Sequence, residues 1–218
     1  MGLVHTPRTL FFIGKGLARR QRGIDPDGLG AQNAFVTHCR AGLFDVDYLM
    51  HLNNAAYLNY AEYARWELCA RNGILKSMLN DKINFLVGGN TVRYRREVRP
   101  LWRKFEIHSH LAHLDERHLW IYHAFRYPAD GKDPGRIRAQ VLCQGLAIQN
   151  GQVLDPRKYL VDKVGMDADR VQAVSSSGSG HTNDIMEELM EKFMAMEAVL
   201  KQAATKDDEL LKLKSTKK

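Results

Sequence analysis

Apolar residues recur at helical spacing between Asn54 and Asn72, where Tyr57, Leu58, Ala61, Ala64 and Leu68 share one side. Asn72-Gly73 supplies the stop, because glycine takes the left-handed backbone that closes a helix without steric cost. Ahead of this helix, Ala34 to Leu43 reads as a strand. Behind it come four strand-like runs: Asn84 to Val98, Lys104 to Leu114, Leu119 to Tyr127 and Arg136 to Gln149. Arg99-Pro100, Asp115-Glu116 and Pro128-Ala129-Asp130-Gly131 are the turn signals between them. Gly88-Gly89 inside the first run predicts a bulge or a close backbone approach. The predicted order is strand, long helix, four-strand meander. That is an α+β layer in which a curved antiparallel sheet packs on a single helix. Such a sheet leaves an edge strand open, and pairing two copies edge to edge removes it.

The ends read differently. Residues 1–33 form a basic arm: Arg8, Lys15, Arg19, Arg20 and Arg22 surround the apolar patch Leu10-Phe11-Phe12-Ile13, and no acid precedes Asp25. This composition fits a mitochondrial transit-like segment or, more plainly, a basic disordered arm. Residues 34–165 carry the globular pattern. Asp155-Pro156 opens a short helix reaching to Val164, and residues 166–181, with Ser175 to Gly180 at their centre, read as a flexible linker. Residues 182–218 read as an amphipathic helix and a basic tail. Asp184 and Glu187 make a capping-box-like start, and Ile185, Leu189, Phe193, Met196 and Leu200 form a stripe widened by Met186, Met190 and Met194. A stripe that wide packs on its own domain or docks in a partner.

The chain has 218 residues, room for one domain plus extensions. No apolar run approaches the roughly 18 residues of a membrane-spanning helix. Three separated cysteines fit a reducing compartment and offer neither a disulfide framework nor zinc-ligand spacing. The net charge of +7 suits nucleic acid, a phosphorylated ligand such as coenzyme A, or a mitochondrial address, and does not choose among them.

The chemistry concentrates in Asp45-Val46-Asp47-Tyr48-Leu49-Met50-His51-Leu52-Asn53-Asn54. Two carboxylates, an imidazole and two carboxamides stand at the start of the predicted helix. Short polar side chains there cap orphan N–H groups, and the same N–H groups can hold a developing negative charge.

The stretch Phe44-Asp45-Val46-Asp47, followed by His51-Leu52-Asn53-Asn54-Ala55-Ala56-Tyr57-Leu58 and Glu62-Tyr63-Ala64-Arg65-Trp66, resembles the hotdog-fold thioesterases. Within them it is most similar to the 4-hydroxybenzoyl-CoA-thioesterase-like branch, notably the group of thioesterase superfamily member six. The resemblance covers about residues 34–160. It implies a long central helix wrapped by an antiparallel sheet, working as a homodimer or higher oligomer, with no cofactor and a coenzyme A thioester as substrate. It places the catalytic carboxylate at Asp47, as nucleophile or as general base, and puts the helix start at Asn54 and Ala55 against the thioester carbonyl. One departure stands out: plant-type acyl-carrier-protein thioesterases have an Asn two residues before the motif His, and here that position is Leu49.

Each candidate has a plainer reading. Asp47 can be a turn carboxylate. His51 can be an acid/base or a tie that fixes the loop; Asn53 is loop support and cap. Glu62 is either a helix-borne carboxylate or a structural partner of Arg65 one turn on. Arg93, Arg95, Arg96 and Arg99 are candidates for coenzyme A phosphates, or a solvated strand face; no RNA-binding motif supports a nucleic-acid partner. His108, His110, His113, His118 and His123 lack metal-ligand spacing, so no metal is expected. The expected function is hydrolysis of a fatty or aryl acyl-CoA. The alternative is a non-catalytic hotdog subunit of a large mitochondrial assembly, a ribosome or respiratory complex. Its motivation is the basic charge, the transit-like start and the added C-terminal helix. The expected location is mitochondrial, otherwise cytoplasmic.

Overall fold

The structure is a computed structural model that describes residues 2–20, 34–99, 102–130 and 135–175, together with 188, 191–196, 198, 199, 202 and 205. It divides into two compact units, residues 1–176 and 177–218.

The first unit is built on α2 (Asn54–Asn72) and an antiparallel sheet. Its strands are β1 (Phe35–Arg40), β2 (Asn84–Tyr94), β3 (Lys104–Leu114), β4 (His118–Arg126), β5 (Ile137–Gln149) and β6 (Gln152–Val153). The order across the sheet is β1-β3-β4-β5-β2, with the short β6 pairing with β5. The long helix stands as the hydrophobic periodicity predicts, but the four-strand meander holds only for β3-β4-β5: β2 leaves the neighbouring β3 and pairs with β5 at the far edge, and β1 takes the place beside β3. The β2–β5 register shifts between Val87 and Gly89, at the glycine pair that signalled a bulge. The predicted strand to Val98 stops at Tyr94, where Arg95 and Arg96 turn both their N–H groups to the Arg138 carbonyl.

α2 is buried along most of its length. Ala56, Tyr57, Tyr60, Ala61 and Ala64 meet Phe105, Ile107, Phe125 and Val141 of the sheet. Tyr57 and Tyr60 stand edge-on to Phe125 and Phe105 at 5.1 Å and 5.0 Å between ring centres, a favoured aromatic geometry. Gly73, at φ +84°, ends α2 and starts α3 (Ile74–Asp81), an element without a sequence forecast. A second apolar cluster gathers Ile83, Leu114, Leu119 and Ala147 of the sheet region with Tyr159 and Leu160 of α4 (Pro156–Asp162). α4 starts as Asp155-Pro156 predicts, with the Asp155 carboxylate accepting from the Arg157 N–H.

Two stretches differ from their sequence reading. Residues 168–175, counted within the linker, form α5 (Ala168–Ser175), because Val171 and Val174 find a place in the second cluster and Asp167 accepts from the Arg170 N–H. The first part of the basic arm is also ordered: α1 (Gly2–Arg20) lies along α2, while residues 21–33 lie outside the described residues. It stays there because Phe12 is buried, stacked on Tyr63 with ring centres 5.3 Å apart and planes 4° from parallel. At Gly16 the two backbones approach so closely that a Cβ would sit 2.4 Å from the Glu67 carbonyl oxygen.

No helix among the described residues is long and apolar enough to cross a membrane. In the second unit, residues 191–196 are helical. The predicted cap at Asp184 and Glu187, the positions Ile185, Leu189 and Leu200, and the Ser/Gly stretch 176–180 lie outside the described residues.

Candidate active site

The Asp47 loop is a closed five-residue turn. Val46 and Leu52 form an isolated antiparallel bridge at its neck. Inside it the Asp47 N–H donates to the His51 carbonyl at 2.9 Å, and the Met50 N–H donates to the Asp47 carbonyl at 3.0 Å. The Asp47 carboxylate folds back over its own turn. Its Oδ1 accepts from the N–H groups of Leu49 at 2.9 Å and His51 at 3.1 Å. Its Oδ2 receives no hydrogen bond among the described residues. One oxygen therefore orients the group, and the other is available to a reacting molecule. Met50 takes φ 60°, a left-handed conformation a residue with a side chain seldom adopts, so the turn is held by these bonds rather than by a glycine.

His51 enters this loop through its backbone, and its imidazole makes no hydrogen bond to Asp47 among the described residues. Asn53 caps α2, its Oδ1 accepting from the Ala55 N–H at 2.9 Å. Of the two helix-start N–H groups implied by the motif, that of Ala55 is therefore engaged by the cap. That of Asn54 makes no hydrogen bond among the described residues. Asn54 is itself tied in place, its carbonyl accepting from the Tyr94 hydroxyl at 3.0 Å.

Asp45, the first acid of the motif, has a different environment. It is 6% exposed and fully engaged. Its Oδ2 accepts from the Gly42 N–H at 2.7 Å and the Tyr60 hydroxyl at 2.8 Å, and its Oδ1 pairs with Arg8 of α1. Burial and the adjacent Asp45 carboxylate push the Tyr60 hydroxyl pKa well up, so it stays a donor. Arg8 and Glu67 carried no sequence signal. Glu67 lies fully buried in the middle of α2, between Lys15 and Arg19 of α1, each at 3.1 Å. Glu62 bonds the Trp66 indole at 3.3 Å and faces His5 at 3.4 Å, where Arg65 was the expected partner. The reason is that α1 brings His5 over this stretch of α2.

The basic run passes beside the loop. The Leu52 N–H donates to the Val98 carbonyl at 3.0 Å. Arg93, Arg95 and Arg96 are exposed, while Arg99 is held by Glu97, whose carboxyl drops below its usual range through that hydrogen bond. The histidines are dispersed: His108 meets Glu106, His118 meets Asp115, and His123 meets Ser109. Among the described residues no cluster of three or more His, Cys, Asp or Glu could hold a metal ion.

A cavity of about 240 Å³ opens between the second half of α2 and the sheet. It is mainly apolar, with Leu68, Phe85, Leu86, Leu119 and Ile121 among its walls and Glu62 and Arg65 beside it. Within one chain it lies away from Asp47, because its first α2 residue, Glu62, follows Asn54 by about 12 Å of helix.

Protein THEM6 of Danio rerio is 33% identical over 109 residues, which is 50% of this chain and 52% of that protein, so the chain spans about half the length of this relative. The probable thioesterase YbaW of Escherichia coli superposes with a TM-score of 0.52 at 24% identity, covering 59% of this chain and 95% of its own. SAV2348 of Staphylococcus aureus, solved in complex with CoA, superposes with a TM-score of 0.52 at 10% identity, covering 69% of this chain and 90% of its own. At these identities the two structures speak for the fold, a hotdog. The profile of the Thioesterase-like superfamily matches residues 42–193, from the turn before the Asp47 loop to the far side of the sheet and beyond, and the chain belongs to that superfamily.

Proposed function

We propose that the chain hydrolyses acyl-CoA thioesters with Asp47 as the catalytic carboxylate. The observation that carries this reading is the divided role of that group: Oδ1 is fixed by two backbone donors and Oδ2 is left open beside the start of α2. In the reaction, Oδ2 takes a proton from a water whose oxygen attacks the thioester carbon. The carbonyl oxygen, as it gains charge, faces the Asn54 N–H at the positive end of the helix. The C–S bond then breaks, and the coenzyme A thiolate leaves as a thiol with the proton held by Asp47. Arg93, Arg95 and Arg96 supply positive charge beside the loop for the coenzyme A phosphates.

The acyl chain needs an apolar place, and in one chain the cavity is at the wrong end of α2. A second copy resolves this. β2 is an edge strand, and Leu86 and Val87 on it are 52% and 47% exposed. Antiparallel pairing of two β2 edges about a two-fold axis sets the Tyr94 end of one strand beside the Leu86–Val87 end of the other. Asn54, whose carbonyl is tied to Tyr94, and the Asp47 loop just ahead of it then approach the cavity of the second copy. The proposed working form is therefore a homodimer with composite sites.

The test is turnover of a panel of aliphatic and aromatic acyl-CoA thioesters by the wild type and by Asp47→Asn. A fall of about 100-fold or more in kcat in the variant is expected, the scale of removing a general base. Equal, negligible turnover by both proteins overturns the reading and leaves the non-catalytic subunit in its place.

A further inference from the structure

The basic segment that the sequence offers as a removable leader is joined to the candidate site by a continuous set of polar contacts. We infer that α1 is a retained part of the working protein and that Arg8 is a positioning residue for the Asp47 loop. This inference rests on the reading of Asp47 as the reacting group.

The connection begins at Arg8, whose guanidinium pairs with Asp45 Oδ1. Asp45 is buried, so its charge needs that cation and the two donors on Oδ2 to offset its lost hydration. The same residue braces both ends of the Asp47 turn. In sequence it stands one residue before Val46, the neck of the turn. Through its carbonyl it accepts from the Asn53 N–H at 2.8 Å, on the far side of the turn. Asn53 in turn caps α2 at Ala55. A shift of Asp45 therefore moves the entry and the exit of the turn together, and with them the direction of Asp47 Oδ2.

The rest of α1 holds Arg8 at this position. Lys15 and Arg19 clasp the buried Glu67, Phe12 stacks on Tyr63, and the His5 ring meets the Tyr63 hydroxyl at 3.0 Å. Arg19 also donates to the Val36 carbonyl at 3.1 Å and lies over the Phe35 ring, so α1 joins β1 as well. Removing α1 would strip two buried carboxylates of their cations at once. A leader that is cut away leaves no such debt behind it, because its parent domain must be complete without it.

The test uses the full chain with Arg8→Ala and Arg8→Lys, read by steady-state kinetics and by hydrogen exchange at the Leu49 and His51 amides, the two donors to Asp47 Oδ1. Arg8→Ala is expected to lower kcat about 10-fold or more with KM within about 2-fold, and to speed exchange at these two amides more than at core amides of β3 and β4. Arg8→Lys, which keeps the charge but loses the guanidinium fork, is expected to recover part of both effects. Should Arg8→Ala be too unstable to purify, Arg8→Lys alone decides: wild-type kcat with wild-type exchange overturns the inference, and a partial loss of both upholds it. Unchanged exchange at Leu49 and His51 overturns it, whatever happens to kcat. If the wild type hydrolyses none of the thioesters, the reading of Asp47 fails separately, and the exchange pattern still reports whether Arg8 holds the loop.

Discussion

His123 Nδ1 lies 2.8 Å from Ser109 Oγ, across the β3–β4 pair, and Nε2 of the same ring is buried without a hydrogen-bond partner among the described residues. A ring in that position is neutral, since protonation would bury a charge with nothing to meet it. Burial accordingly pushes its pKa well below the usual imidazole value. His110 is similar: burial lowers it to about 4.

These two rings predict acid sensitivity. In the unfolded chain they take up protons near pH 6.5, and in the folded chain they resist until far lower, so between the two values the unfolded state binds more protons. Stability from this source is complete above about pH 6.5 and is lost as pH falls toward 4. His110 alone accounts for about 3 kcal/mol across that window, at roughly 1.4 kcal/mol per unit. Thermal melts from pH 7.5 to 4.5 should show a falling Tm, and His110→Gln should flatten the fall. A Tm level through pH 5 in the wild type would refute the assignment.

Glu67 and its two cations predict an asymmetry. Glu67 is fully buried, whereas Lys15 and Arg19 are each about a third exposed at the side chain. Replacing both cations, as in Lys15→Met with Arg19→Met, leaves a buried carboxylate unpaired and should cost about 3–5 kcal/mol. Glu67→Gln leaves two cations that can turn to water and should cost less than half as much. Urea denaturation of the three proteins checks the order, and equal losses would argue against it.

The β2 edge predicts a linked loss of assembly and turnover. Val87→Lys puts a charge at the Leu86–Val87 end of the proposed pairing, where the residue is 47% exposed in the single chain and also borders the cavity. Sedimentation should report a monomer with an intact melt, and kcat/KM should fall by about 10-fold or more. A monomer with full activity would break the link between the second copy and the site.

What the sequence disclosed and what it withheld divide along the range of the contacts. α2, its Asn53 cap and its Gly73 stop were legible because each depends on neighbours within four residues. The bulge at Gly88-Gly89 and the Asp155-Pro156 start were legible for the same reason. The Asp47 loop was marked by its motif, but the division of labour between Oδ1 and Oδ2 depends on how the turn folds back onto the carboxylate. α1 was read as an arm because what holds it is remote: Arg8–Asp45, Arg19–Glu67 and Lys15–Glu67 span 37, 48 and 52 positions. A buried acid in the middle of a helix looks, in a sequence, like any solvated glutamate.

The crossing of α1 and α2 at Gly16 has a consequence for that acid. Gly16 brings no side chain of its own to the contact, so its backbone packs directly against the Glu67 carbonyl, the Ala70 methyl and the Arg71 N–H of α2, and these atoms set the distance between the helix axes. Lys15 stands beside this point and Arg19 one turn beyond it, and both reach Glu67 at 3.1 Å only at this spacing. A single methyl group at position 16 would act as a wedge, lift both cations out of range and let water in between the helices. Whether Glu67 is dry or wet therefore depends on an atom the chain does not have.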